Sequence, residues 1–517
     1  MKFIFSRKDK FLIEQSEHSQ KNMSFLFVIK KTMGVPGLFY WIQQRHAQYT
    51  KNIQKGHTTV DNLYVDCVCF VHQCAQDIYG YGKNVSLSDT FASMTEKQKE
   101  QELFRSVRNA IFRLTKYVTP TKKFYVVFDG VAPIAKQNQQ RHRRFLGGKP
   151  SCGFDPNSIT CGTEFLDRLQ RYVERGLSNF CQNEKFSLVF SSSSQPGEGE
   201  HKALAFARAN GNGESHCFYS PDGDLVLLTM ALGFDKVSLL RQDHIQQWKY
   251  LLTDISGLSQ EFQKDVPVKD FVFLSCLLGN DFLPRLGMFE SKFSDTAEFL
   301  IAKYKEYGKR IFSEKTGNFI PARAFGLFSF LSTFEKELFD KRCVFELTAQ
   351  KEGRTDHTLL ESYSPQEGVD VEKYKQIFGS KKQREDSQAF DYIRGCIWVT
   401  VYYFRGCPDN GWSYKWHYPP FLSDIKKEHF TGQKPFKHSV VPNQLLQLLC
   451  VLPPHSMNLL PKRWKKYADI TKKEELSEFF PKEVEIDYEG KFREYENVPL
   501  LPHVDISLIQ REIQKIQ

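Results

Sequence analysis

Short apolar runs alternate along this chain with longer stretches of helical periodicity, and an acidic residue follows several of the apolar runs. Residues 62–66 (NLYVD) read as a strand ending on Asp66, and 67–79 (CVCFVHQCAQDIY) as an apolar helix. A charged amphipathic helix is predicted over 97–118, a buried strand over 124–128, and a turn from Asp129-Gly130 to Pro133. The next helix is polar and basic. On it Lys136, Gln140, Arg143 and Arg144 fall at i, i+4, i+7 and i+8, which is one face. After a loop over 147–157 come a helix over 159–179, a strand over 186–190, and a helix whose first turn carries Glu198 and Glu200. Residues 217–220 and 236–240 are further strands, with Asp222-Gly223-Asp224 and a helical LVLLTMAL between them. An apolar stretch over 270–278, helix or strand, runs into Gly279-Asn280-Asp281.

Strands alternating with helices predict an α/β fold with a mostly parallel sheet, whose C-terminal strand ends line the ligand crevice. That geometry gathers Asp66, Asp129, Glu198, Glu200, Asp222 and Asp224 at one sheet edge, with Asp281 as a seventh acid. The pattern weakens over 290–395, where 350–387 reads as a polar connector with a helix or two. It returns with a very aromatic stretch over 396–420, a helix in QLLQLLCVL and a joint at Pro453-Pro454. No run approaches eighteen consecutive apolar residues, so no membrane span is expected. Residues 1–32 read as an extension of uncertain role, too weakly apolar for a secretory leader.

Composition adds modest constraints. The 517 residues suffice for two or three domains, and 41% hydrophobic content with 45 Phe excludes wholesale disorder. A formal charge of +10 suits a nucleic-acid partner without requiring one. The 12 Cys contain no CxxC pair and read as reduced core thiols of an intracellular protein. Nucleus or cytoplasm is left open, because Lys381-Lys382-Gln383-Arg384 is too short a basic run for a nuclear signal.

A single Asp at a strand end usually caps a helix or solvates a loop. Six or seven at one crevice repel one another unless cations hold them, and hard oxygen donors select Mg²⁺ or Mn²⁺. Two such ions roughly 3.5–4 Å apart clamp a phosphodiester. The cationic face beside them suits a phosphate: Arg143 and Arg144 bind bidentately, Lys136 acts as a point charge and Gln140 as a neutral donor. Together these predict a nuclease that requires a terminal phosphate.

Several motifs carry a family resemblance. MGVPGLFYWI (from Met33), NLYVDCVCFVH, FDGVAPIAKQNQQRHRRF, DPNSITCGTEF, PGEGEHK, DGDL and GNDFLPRL resemble, in order, the first region of the Xrn family of 5′→3′ exoribonucleases. YYFRGCP with WSYKWHYPP, QLLCVLPPHSMNLLP, and VEIDYEGK with VPLLP resemble its second region. The resemblance implies a core of the PIN/flap-endonuclease type over 33–295, a variable connector over 296–390, and a mostly helical second region over 391–510 that wraps the core and closes the active site. It assigns metal binding to Asp66, Asp129, Glu198, Glu200, Asp222, Asp224 and Asp281, and the 5′-phosphate pocket to Lys136, Gln140, Arg143 and Arg144. It also assigns base stacking to His72 and Trp412, although as isolated residues these would pass for a core histidine and a loop aromatic. Departures from the family pattern include the residues before Met33, Ile134 in place of a usual Arg, and a reduced aromatic pair at Asn410-Gly411-Trp412. The expected activity is metal-dependent, processive 5′→3′ digestion of single-stranded 5′-monophosphorylated RNA to nucleoside 5′-monophosphates, with two Mg²⁺ or Mn²⁺ ions. The alternatives are a structure-specific DNA flap nuclease on a related core and an inactive RNA-binding scaffold.

Overall fold

Seven strands form the central sheet: β1 (Thr50–Ile53), β2 (Thr58–Asp66), β3 (Val118–Val127), β4 (Ser187–Ser191), β5 (His216–Tyr219), β6 (Val237–Gln242) and β7 (Tyr250–Asp254). They lie in the order β1-β7-β6-β5-β2-β3-β4. The computed structural model describes residues 35, 37–82, 89–147, 153–211, 213–243, 249–290, 292–350, 358–382, 387–488 and 497–516; the extension over 1–32 and Met33 lie outside them. Strands β6, β5, β2, β3 and β4 are mutually parallel, and β7 and β1 add antiparallel pairs at one edge. The α/β expectation therefore holds, with a mixed edge. The strand at β1 was not legible because TKNI is polar, and only its pairing with Tyr250–Asp254 makes it one.

Chain order explains where a ligand can sit. From β2 the chain steps outward to β3 and β4, then returns to place β5 on the other side of β2. Helices leaving β2 and β5 therefore diverge, which opens a crevice at the C-terminal ends of those two strands.

Alternation along the strands feeds two cores. Leu63, Val65, Phe124, Val126 and Cys217 face one, with Phe70, Leu103, Val107 and Leu169 from the covering helices. Tyr64, Tyr125, Val127, Phe218 and Leu239 face the other, with Leu204 and Phe271. Five predicted elements are longer or shifted in the structure: Thr58–Asp66, Glu96–Leu114, Val118–Val127, Glu164–Cys181 and helix Val268–Ser275. The strands lengthen because the β2–β3 ladder continues past the apolar runs to Thr59 and Thr119, across an irregularity between Val60 and Asn62.

The second core does not stop with the sheet. Helices Phe293–Tyr307, Pro321–Ser332 and Glu335–Gln350 contribute Leu300, Leu327, Phe328, Leu331 and Phe339 to it, and so does the long helix Ser387–Arg405 through Tyr392, Ile393, Trp398 and Tyr402. The weak patterning over 290–395 conceals this because Pro321–Ser332 (PARAFGLFSFLS) carries Phe on several sides of the helix. Helix Gln444–Val451 packs with Met457, Tyr467, Ile470, Phe479, Ile509 and Ile513 into a third, smaller core. No helix among the described residues is long and apolar enough to cross a membrane.

One close approach locks the turn after β3 to the segment before helix Gly199–Asn210. The Gly130 amide donates to the Gly197 carbonyl at 2.9 Å, and the Gly197 amide to the Val131 carbonyl at 2.8 Å. A Cβ on Gly130 would lie 1.8 Å from the Gln195 carbonyl oxygen, so no larger residue fits without moving backbone. Gly130→Ala is expected to lower unfolding free energy by about 3 kcal/mol, measured by denaturant titration; an unchanged midpoint would refute this packing.

Candidate active site

The acids gather where the topology opens the sheet. Asp66 closes β2, and its Oδ1 accepts the Val68 amide at 3.2 Å. Asp129 stands just past β3, and its Oδ1 accepts the Gly199 amide at 2.6 Å. It thereby caps helix Gly199–Asn210, whose own N-cap residue, Glu198, makes no side-chain capping bond. A Cβ on Gly199 would meet Oδ1 of Asp129 at 3.2 Å and Oδ1 of Asp66 at 3.3 Å, so the bare glycine leaves both carboxylates their room at the positive end of the helix. Asp222 and Asp224 follow β5. One carboxylate oxygen from each of Glu200, Asp222 and Asp224 lies within 4.8 Å of the others.

Glu198 and Asp281 are engaged differently. Lys136 Nζ lies 2.7 Å from Glu198 Oε2 and 2.8 Å from Asp281 Oδ2, with all three side chains almost fully buried. The other oxygen of Glu198 accepts the Tyr402 hydroxyl. Gln139 Nε2 donates to Asp281 Oδ1 at 3.3 Å, and the Tyr403 hydroxyl to Asp224 Oδ2 at 3.2 Å. Burial alone would lower the Lys136 pKa, but Asp281 and Glu198 hold it well above the ordinary value, so the cation persists.

A cavity of ≈ 270 Å³ joins the acids to the cationic helix. Asp66, Asp129, Glu198, Glu200 and Asp222 line it together with Lys136, Gln140, Arg143, Arg144 and His72. The cavity thus brings five of the seven predicted acids to the four residues of the predicted helix face. Asp224 and Asp281 are not in the lining: Asp281 pairs with Lys136, and Asp224 stands within 4.8 Å of Glu200 and Asp222. Burial, then Arg143 and Arg144, pushes His72 down to about 3, so its ring is neutral. Arg144 is pulled down to about 9 by burial and Arg143, yet remains a cation, and its Nη1 is buried without a hydrogen-bond partner. Trp412 is not brought to this cavity. It is 9% exposed, and its ring stacks on Trp398 with centroids 5.1 Å apart. The reduced aromatic pair at Asn410-Gly411-Trp412 thus folds inward, and the Asn410 carbonyl accepts the Ile134 amide at 2.9 Å.

Electrostatics mark the acids as a set awaiting positive charge. Burial raises Asp222 to about 6 and Asp224 to about 7, with Asp281 adding repulsion to both. Burial followed by neighbouring carboxylates also raises Asp66, Asp129 and Glu200. Oδ1 of Asp224 is buried without a hydrogen-bond partner. An all-carboxylate donor set with a vacant buried oxygen fits a hard divalent cation.

Three neighbours of the acids were not singled out from sequence. Arg241 on β6 donates to the carbonyls of Asp222 (2.8 Å) and Pro221, pinning the turn that carries two acids; an Arg inside the apolar strand VSLLRQ was the available signal. Tyr402 and Tyr403 were visible only as part of the YYFRGCP motif, with no role attached.

Residues 33–152 and 148–243 match the family model described as XRN 5'-3' exonuclease N-terminus, and residues 370–517 match the Xrn1 helical domain. The chain belongs to the Xrn family. Human 5'-3' exoribonuclease 1 is 26% identical over 593 residues, covering 92% of this chain and 33% of that protein. The Saccharomyces cerevisiae 5'-3' exoribonuclease 1 is 25% identical (92% and 42% covered), and the Drosophila melanogaster 5'-3' exoribonuclease 2 homolog 23% identical (92% and 70%). The chain thus spans between 33% and 48% of the length of the first three Xrn relatives. The catalytic core of Rad2 in complex with DNA substrate overlaps with a TM-score of 0.35 at 13% identity, covering 83% of this chain and 95% of that one, too loosely to argue from.

The raised carboxylate pKa values fix a sign. Asp222 and Asp224 titrate from 3.8 unfolded to about 6 and about 7 folded, so between those limits the folded state binds more protons. Their ionisation costs nothing below the unfolded value and its full amount above the folded one. Cation-free protein is therefore expected to lose stability from these groups as pH rises from 4 to 7. Added Mg²⁺ is expected to raise the melting temperature more at pH 8 than at pH 5. Equal gains at both, followed by calorimetry, would contradict the coupling.

Proposed function

We propose that this chain is a divalent-metal-dependent 5′→3′ exoribonuclease that takes single-stranded RNA with a 5′-monophosphate and releases nucleoside 5′-monophosphates processively. The observation that carries this reading is the shared cavity, in which five of the acids and all four residues of the cationic helix face line one space. Its family membership and its similarity to relatives named 5'-3' exoribonuclease support the direction and the RNA substrate.

In this reading Asp66, Asp129, Glu200, Asp222 and Asp224 hold two Mg²⁺ or Mn²⁺ ions. Ions held there would supply a lowered water pKa and charge neutralisation at the leaving oxygen. Arg144, with its unpartnered buried Nη1, and Arg143 take the terminal phosphate, with Gln140 beside them. Lys136 stands between this phosphate end and the acids, keeping Glu198 and Asp281 neutralised. The neutral ring of His72 offers a face to the first base, a sequence-tolerant contact suited to an enzyme that digests any RNA. Base stacking is not assigned to Trp412, whose ring is committed to Trp398.

The test is one RNA carrying monophosphate, triphosphate, cap or hydroxyl at its 5′ end, run beside single-stranded DNA and a DNA flap. The monophosphorylated RNA is expected to be degraded fastest, with nucleoside 5′-monophosphates as products. Arg144→Ala is expected to narrow the preference for monophosphate over hydroxyl at least tenfold, the loss of one charge-assisted phosphate contact. Asp222→Asn is expected to abolish turnover. Preferential flap cleavage, or equal rates on phosphate and hydroxyl ends, would overturn the assignment.

A further inference from the structure

Two consecutive phenols from the family's second region reach acids of the first. Tyr402 and Tyr403 sit near the end of helix Ser387–Arg405, both almost fully buried. The Tyr402 hydroxyl donates to Glu198 Oε1, and the Tyr403 hydroxyl donates to Asp224 Oδ2 at 3.2 Å. Their rings have little freedom to move away. Tyr402 stacks on His201 with centroids 3.7 Å apart and an interplanar angle of 22°, and meets Trp398 at 4.6 Å and Phe282 at 5.6 Å. The Arg208 guanidinium bonds the Tyr403 carbonyl at 3.1 Å, tying the same turn of helix to helix Gly199–Asn210.

Each bond has a consequence for which oxygen the acid presents. Asp224 gives Oδ2 to Tyr403 and keeps Oδ1 unpartnered, and Asp224 belongs to the close trio with Glu200 and Asp222. Glu198 gives one oxygen to Tyr402 and the other to Lys136, so both of its oxygens are engaged and its carboxylate is turned away from its own helix.

We infer that Tyr402 and Tyr403 are positioning residues through which the second region sets the orientation of the acid cluster: Tyr403 directs the free oxygen of Asp224 into the trio, and Tyr402 holds Glu198 on Lys136. This rests on the proposed reading of the acids as cation ligands. A phenol that orients a ligating carboxylate is an outer partner, whose loss typically costs about 10- to 100-fold in cation affinity. Loss of a phenol that merely packs leaves affinity unchanged, because Phe retains the ring.

Mn²⁺ binding to the purified full chain, measured by calorimetry or by the paramagnetic resonance signal of free Mn²⁺, separates the two. Wild type is compared with Tyr403→Phe and Tyr402→Phe, each with a melting curve in EDTA. The expected result is at least tenfold weaker Mn²⁺ binding for Tyr403→Phe, with the EDTA melting temperature close to wild type. Its turnover is expected to recover as Mn²⁺ is raised. Tyr402→Phe is expected to weaken binding less, since Lys136 still holds Glu198. Mn²⁺ affinity within twofold of wild type in both variants would overturn the positioning role while leaving the nuclease reading intact. A wild-type chain that binds no Mn²⁺ would overturn both.

Discussion

A single buried ammonium sets the terms for the site. Lys136 lies between Glu198 and Asp281, and without it two carboxylates would lose their buried cation in a crevice already crowded with five others. A buried charge is tolerable only when paired and hydrogen-bonded, and breaking such a pair costs more than never having built it. Lys136 also occupies one face of helix Ile134–Leu146 with Gln140, Arg143 and Arg144. The residue that balances the acids therefore shares a rigid helix face with Arg144, whose Nη1 has no hydrogen-bond partner. Charge compensation and the cationic face are one construction.

That construction needs the sheet as its frame. Because β5 returns beside β2 after β4 has been laid down, acids far apart in sequence meet at adjacent strand ends. The Gly130 contact with the Gln195 carbonyl and the paired amides of Gly130 and Gly197 then fasten the β3 turn to the start of helix Gly199–Asn210. Asp129 completes the fastening by capping that helix in place of Glu198, which is left to face Lys136. Arg241 does the equivalent for the turn after β5, satisfying two carbonyls with a cation that also sits over the Phe39 ring at 4.0 Å.

The acids and the cationic face were legible because their signals are local: an Asp at the end of an apolar run, and four polar residues on one helical face. The α/β class followed from the same alternation. What escaped depends on partners distant in sequence. Strand β1 exists only through β7, and Trp412 turns inward because Trp398 offers it a ring. Helix Ser387–Arg405 begins well before the aromatic run that announced it. Glu198 and Asp281 looked equivalent to the other acids because spacing cannot tell a carboxylate bonded to a lysine from one left free.

That last distinction divides the seven acids physically. Glu198 spends both oxygens on Lys136 and Tyr402, and Asp281 is held by Lys136 and Gln139. Asp224 keeps an oxygen unpartnered, and its neighbours Glu200 and Asp222 stand within ligand distance of it. One pair thus neutralises the lysine, while burial and mutual repulsion raise the pKa values of Glu200, Asp222 and Asp224 despite the nearby Lys136. Both groups are bonded by neighbouring tyrosines of one helix, and that helix shares the core that covers the sheet. Shifting helix Ser387–Arg405 against the sheet would therefore disturb both groups together. The second region is in this sense part of the site's electrostatics.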